Sequence, residues 1–564
     1  MQSKKALPLF AVLVALAWAC GSDGSGGGGG AGGTGGTSAS GGAGGSGGTS
    51  GSGGTSGSGG TSGSGGAGDA STDACADGGC TPTCSDVTTL SANVGCEFWA
   101  VDLDQQDGGG NDPASEPWGV VITNPGATDA QLTIEINTAG VGQAVATSVV
   151  TQATVSKGGV KQIALPTREL DCGTKPNDYA SPGTCLSSKA VRITSTEPVA
   201  VYQFNGIADT FSNDASLLLP THALGKVHRV VGWSAGHPKP LSFPSIGTIV
   251  DRAYVTVVGV KAATQVKVSP SWRIRGNPPI AATPAGGQVA VTLGPFDVLN
   301  LETDDATDAD APATVADLSG TLVESDQPVA VFSGVESGQV PGALTVPTPP
   351  GWTASNTCCL DHLEEQVVPV ASLGSDYVVA RSPIRSSGGF AEPDVVRIVG
   401  GTAVAAVKTS LPAPFDSFTL QPGEVKTTWT QGNFTLSATQ PVLVAQLLVS
   451  RQFVAGTPVG DPSLVLLPAI QKHLTEYLIP TSSAWTANWI VIAAPSGTKL
   501  TFDGAPPSGC SVEPAGTLGG KAYESVRCAV GSGVHRLKGD QPFGVTVYGY
   551  GTSSSYAFVG GAAR

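Results

Sequence analysis

Gly232-Trp233-Ser234-Ala235-Gly236 is the first stretch whose residue types and spacing suggest chemistry, because it matches G-x-S-x-G. In hydrolases that motif works by lifting the serine above a sheet on a sharp strand-to-helix turn. Here a strand-like VHRVV precedes it, but HPKPLSFP follows, with Pro238, Pro240 and Pro244 where the helix would have to run. With 79 glycines among 564 residues, a chance match is expected. Ser234 is therefore not read as a nucleophile, and no catalytic residue is expected.

The remaining candidates are hard-oxygen and imidazole groups. Asp102-Leu103-Asp104-Gln105-Gln106-Asp107-Gly108 alternates oxygen donors before a glycine, as calcium loops do. Its third aspartate comes one position late, and no glutamate closes it, so calcium competes with a plain hairpin turn. The run TDDATDADA from Thr303 reads as an exposed acidic loop. His222, His228, His237, His362, His473 and His535 show no H-x-H or H-E-x-x-H spacing. Glu364 and Glu365 are adjacent, but neighbours on a strand point to opposite faces, so adjacency does not make them an acid/base pair. No cofactor is expected apart from calcium as an alternative.

Eleven cysteines are the other reactive groups. The first, Cys20, follows Met1–Ala19, a segment with two lysines and an apolar run from Ala6 to Ala19 that is too short to span a bilayer. It reads as an export signal, and Ala17-Trp18-Ala19-Cys20 resembles a bacterial lipoprotein signal, so Cys20 is the expected lipidation site. The expected location is then the outer membrane or cell surface, with plain secretion as the alternative. The ten remaining cysteines, in an exported chain, favour disulfides. Cys172 with Cys185, and Cys510 with Cys528, bracket short segments and form natural local pairs. The pairing of Cys75, Cys80, Cys84, Cys96, Cys358 and Cys359 stays open, and a zinc site is not expected because no paired C-x-x-C knuckles occur.

The elements that would hold these groups follow from composition and repetition. Residues 21–84 are rich in Gly, Ser and Thr, with TSGSGG three times from Thr49 to Gly66. Such a tract cannot bury apolar surface and reads as a disordered tether, its Gly/Ser core spanning roughly 40 Å on average. Beyond it, 40% hydrophobic and 13% charged residues with abundant Thr, Ser, Gly and Pro favour strands. A net charge of −15 without any basic cluster excludes nucleic-acid binding.

The body from 85 to 564 repeats itself. EPVAVYQFNG from Glu197, QPVAVFSGVE from Gln327, QPVLVAQLLV from Gln440 and QPFGVTVYGY from Gln541 each read as a strand entered through proline. The prolines at 198, 328, 441 and 542 set a period of about 110 residues. DASLLLP, DHLEEQVVP and DPSLVLLP follow the first three, and SSSYAFVGGA follows the last. With six to eight strand-like runs per period, the expected fold is all-β. It is built of tandem β-sandwich-like repeats in units of about 96–222, 223–370, 371–470 and 471–564, with a β-propeller of eight small blades as the alternative.

SSKAVRITSTEPVAVYQFNG from Ser187, SNDASLLLPTHALGKVHRVVGW from Ser212, SGTLVESDQPVAVFSG from Ser319 and CCLDHLEEQVVPVASLGSDYVV from Cys358 resemble the N-terminal domain of the IgGFc-binding protein family. The resemblance runs from about Cys96 to the C-terminal YGYGTSSSYAFVGG. It implies a non-enzymatic, extracellular module for adhesion to or binding of proteins or glycans. Members often carry a cysteine shortly after the second PVAVFSG strand, where this chain has Ser337, so the family's disulfide arrangement does not carry over. No ligand-binding residue transfers. A structural envelope protein that self-associates is the alternative, and a hydrolase using Ser234 ranks last.

Overall fold

The computed structural model describes residues 83–85, 92–106, 113–170, 183–209, 212–243, 247–310, 315–354, 360–457 and 459–563. The leader, the tether, and Cys20, Cys75, Cys80, Cys172, Cys358 and Cys359 lie outside them, as do Asp107 and Gly108. Residues Thr81–Arg564 form one compact unit. Among the described residues every long element is a strand, and the helical turns are three-residue 3-10 pieces such as Thr221–Ala223.

Four long strands organise it: Val191–Asn205, Leu322–Gly338, Phe434–Leu448 and Gly533–Tyr550. The repeated prolines sit inside these strands, not at their start. Proline has no N–H to give the ladder, so each strand breaks register there. In the first unit Gly95 pairs with Val199 but Glu97 pairs with Thr194. The same slip recurs between Val329 and Glu324, between Val442 and Ser437, and between Phe543 and Lys538. A bulge at that point bends the strand, and each half collects its own partners. In the first unit, the first half pairs with Gly95–Ala100 and Ala130–Asn137. The second half pairs with Gly119–Thr123 and Asp214–Leu218.

The result is a curled sheet folded over on its long strand. The halves face each other across an apolar core, for instance Leu132 and Ile134 against Val120, Ile122 and Val201. Three of the sheets have seven strands; the second has eight, because Cys185–Ser187 joins its Val298–Glu302 edge. The all-β, sandwich-like repeat expected from the sequence is thus observed.

The repeated leucine-glycine pair follows from how closely the chain passes its own connections. A Cβ on Gly225 would lie 2.2 Å from that of Pro369, and one on Gly374 would lie 2.3 Å from that of Ala469. Only glycine admits these approaches.

Beyond each bend the long strand is apolar on both faces, because both are buried. Val199 and Val201 enter the first unit's own core, whereas Ala200, Tyr202 and Phe204 meet Ile490, Val545 and Phe558 of the fourth. Ala330 and Phe332 likewise join the first unit's cluster, Leu443 and Leu447 meet the second unit's Val335 and Leu363, and Tyr548 and Tyr550 meet the third unit's Val378 and Leu448. Each unit therefore packs on its predecessor and the first on the last, closing a ring of four curled sheets, in place of eight four-stranded blades. The short strands Asp214–Leu218, Asp361–Gln366, Leu464–Leu467 and Ser555–Val559 lie innermost, side by side around the axis.

Candidate functional site

Strands meeting around an axis leave inner edges whose N–H groups no ladder can satisfy. Here buried side chains accept them. Asp214, with no exposed surface, takes Leu464 N at 2.9 Å, Ala215 N at 3.0 Å, Glu364 N at 3.3 Å and the Ser463 hydroxyl at 2.6 Å. Glu365 takes Leu466 N at 3.1 Å, and Asp361 takes Asn213 N at 2.8 Å. Gln203 Nε2 donates to Glu364 at 3.0 Å. Burial, more than any neighbour, pushes the Asp214 carboxyl up to about 8 and lifts Asp361, Glu364, Glu365 and Asp461 well above the usual range. Glu364 and Glu365 point to different partners and make no acid/base pair with each other. This acidic axis seals strand edges that belong to three different units.

A second acidic group lies where the first unit meets the second. Asp104 comes from the segment after Gly95–Ala100, Glu302 ends Val298–Glu302, and Glu336 sits late in the long strand Leu322–Gly338. One carboxylate oxygen of each lies within 4.8 Å of the others, and all three residues are buried. Asn300 Nδ2 donates to Asp104 at 2.8 Å, Gly183 N to Glu302 at 2.8 Å and Arg252 N to Glu336 at 3.0 Å. The Arg252 guanidinium stands 3.7 Å from Glu302 and 2.8 Å from Asp305. Burial first, then the Glu302 charge, lifts Asp104 and Glu336 well above the usual carboxyl range. Such a set can share protons between its oxygens or offer three hard ligands to a divalent cation. Among the described residues it is the group of acids, cysteines and histidines close enough to hold a metal ion.

Sequence spacing found one of these three. Asp104 belongs to the anticipated calcium loop, but its companions come from about 200 residues downstream, and nothing local marks them. Asp102 turns elsewhere: its Oδ2 accepts Arg168 N at 2.6 Å, and burial pushes its carboxyl up to about 8. The run after Thr303 is an ion-paired loop as well as an exposed one. Asp310 holds Arg273 at 2.8 Å, and the fully exposed Asp308 meets Lys239 at 2.7 Å.

Ser234 lies in an irregular stretch with no helix after it. His237 Nδ1 binds Asp251 Oδ2 at 2.6 Å, and its backbone N binds the same oxygen at 2.9 Å. The local layout therefore lacks the strand-to-helix elbow. His228 and His362 are buried and held neutral, burial lowering both to about 3. A disulfide joins Cys510 to Cys528, another joins Cys84 to Cys96, and Cys185 is also disulfide-bonded.

A family profile described as IgGFc binding protein matches residues 214–549. That is more than half of the chain. The chain belongs to the IgGFc-binding protein family. The match begins on the first axial strand and ends in the last long strand, so it takes in the third sheet whole, the second except for Cys185–Ser187, and most of the fourth. No curated protein matches the chain. The family is one of extracellular binding modules, and among the described residues no helix is long and apolar enough to cross a membrane.

Proposed function

We propose that the four-unit ring is a non-enzymatic binding module, held outside the cell by a lipid on Cys20 and a Gly/Ser-rich tether, and that it recognises an extracellular protein or glycan. The family match across the ring carries this reading. Two tests address separate parts of it. Fatty-acid labelling should be lost in Cys20→Ala, and equal label in both proteins would remove the anchor. Protein and glycan arrays probed with the mature chain should return a specific, saturable ligand.

Self-association is a second reading with its own observation. Thr147–Val155 is a sheet edge paired on one side only, with no lysine or proline on it, and Val149 is 52% exposed. Natural edges are normally blunted against pairing with another copy. Ordered oligomers that dissociate in Val149→Lys, together with empty arrays, would favour an envelope-building role.

A further inference from the structure

In every unit the strand beside the second half of the long strand carries a further neighbour: Val160–Ala164 in the first unit, Val298–Glu302 in the second, Val425–Thr430 in the third and Lys521–Val530 in the fourth. Two of these four equivalent strands are covered on their far side. Cys185–Ser187 lies antiparallel on the second unit's strand, and Ser511–Leu518 lies antiparallel on the fourth's. Among the described residues the first unit's Val160–Ala164 is bare there, as is the third unit's strand.

The bare edge of the first unit has a defined polarity. Asn124 N donates to Gly159 O and Leu165 N to Trp118 O, each at 3.0 Å. An antiparallel ladder bonds every second pair, so Lys161 and Ile163 commit their N–H and C=O groups to Gly119–Thr123, while those of Val160, Gln162 and Ala164 point outward. The Gln162 side chain shares a face with that of Val121, its partner across the ladder. That face borders an open groove of about 220 Å³ at the seam with the fourth unit. Val121, Phe204 and Pro480 give it apolar surface, and Gln162, Ser483 and Ser532 give it amide and hydroxyl groups. None of the six is charged, and alternation puts Lys161 on the opposite face.

We propose that an extended segment of a partner protein pairs antiparallel with Val160–Ala164 and sets a tyrosine side chain, opposite Gln162, into this groove. The chain itself fills the equivalent edge in this way in its second and fourth units. A residue opposite Gln162 exchanges main-chain bonds with it and projects its side chain to the same face, and such strand addition selects its partner through pockets for alternate side chains. A benzene ring occupies a cavity of roughly 150 Å³, so the groove has room for a ring with a hydroxyl and a methylene, and its polar rim suits a phenol. This rests on the binding-module reading and names the ligand class.

The test is fluorescence anisotropy of the full mature chain with a labelled, capped peptide of alternating threonine and valine around a central tyrosine. It should bind saturably. Replacing the tyrosine by alanine, or methylating its main-chain nitrogen, should each weaken binding at least about tenfold. Gln162→Pro deletes an outward N–H without touching the ladder to Gly119–Thr123, so it should weaken the peptide by a similar factor at an unchanged melting temperature. Ser532→Trp grows into the groove from its rim and should bring the tyrosine and alanine peptides to equal, weak binding; it decides alone if the proline variant does not fold. No saturable peptide binding, equal binding of the methylated peptide, or unchanged binding by these variants overturns the proposal. An oligosaccharide found on the arrays while the peptide fails to bind also overturns strand addition but leaves the binding module standing, so the two readings fail separately.

Discussion

Asp214 shows why buried acids in this chain belong first to the fold. It receives four donors from three units, so Asp214→Ala should cost about 3–5 kcal/mol in urea unfolding, since several buried donors lose their acceptor at once. A nearly neutral result would mean that the axis is not held by this carboxyl. The acids also fix a pH dependence. Asp102 and Asp214 titrate near pH 8 in the folded chain against 3.8 ordinarily. The folded state therefore binds more protons than the unfolded one between those values, and stability falls as pH rises through that window. His228, His362 and His473, lowered to about 3, 3 and 4, act in the opposite sense below 6.5. Above pH 6.5 the acids are joined by His237, which burial lowers but its hydrogen bond and charge contact with Asp251 raise overall, and both act in the same sense, so the melting temperature should fall between pH 6.5 and 8, and a rise would contradict the assignment. Asp104→Asn should melt higher than the wild type at pH 9 and little differently at pH 5, because it removes one of three crowded carboxyls. The sequence showed Asp104 as an oxygen donor. It could not show Glu302 and Glu336 beside it, because long-range sheet pairing leaves no mark in local spacing.

At the scale of elements, alternation was readable and bending was not. PVAVYQF and its three counterparts announce strands, but only the broken register shows that proline bends each one and lets it serve two half-sheets. The apolar run beyond the proline reads as a buried strand; that its second face meets a neighbouring unit required the fold. Phe332 makes the point testable: it shares one cluster with Trp99 of the first unit and Phe296 of its own, and Phe332→Ala should cost about 3–5 kcal/mol. A loss below about 1 kcal/mol would mean that the units barely pack on one another. The Cys510–Cys528 bridge closes 18 residues around the hairpin Ser511–Leu518 and Lys521–Val530. Its replacement by serines should cost about 3 kcal/mol on loop-closure grounds. Calorimetry with and without reductant checks this.

For the whole molecule, the repeated motifs pointed to four similar units, and each long proline-bearing strand does organise one of four large sheets, but closure was not readable. The first unit packs on the fourth through Tyr202 and Phe204 against Tyr556 and Phe558, a contact more than 340 residues apart. A chain ending at residue 470 would bare that face, and should aggregate or lose its cooperative transition; a monomer with an unchanged, sharp transition would mean that the ring is four independent domains. Membership of the IgGFc-binding family is the observation that supports the proposed recognition by this ring. The most direct test is a protein and glycan array probed with the mature chain beside its Ser234→Ala variant. The account predicts a specific ligand bound saturably and equally by both. An array without any specific ligand, or an ester hydrolysis that Ser234→Ala abolishes, would contradict it.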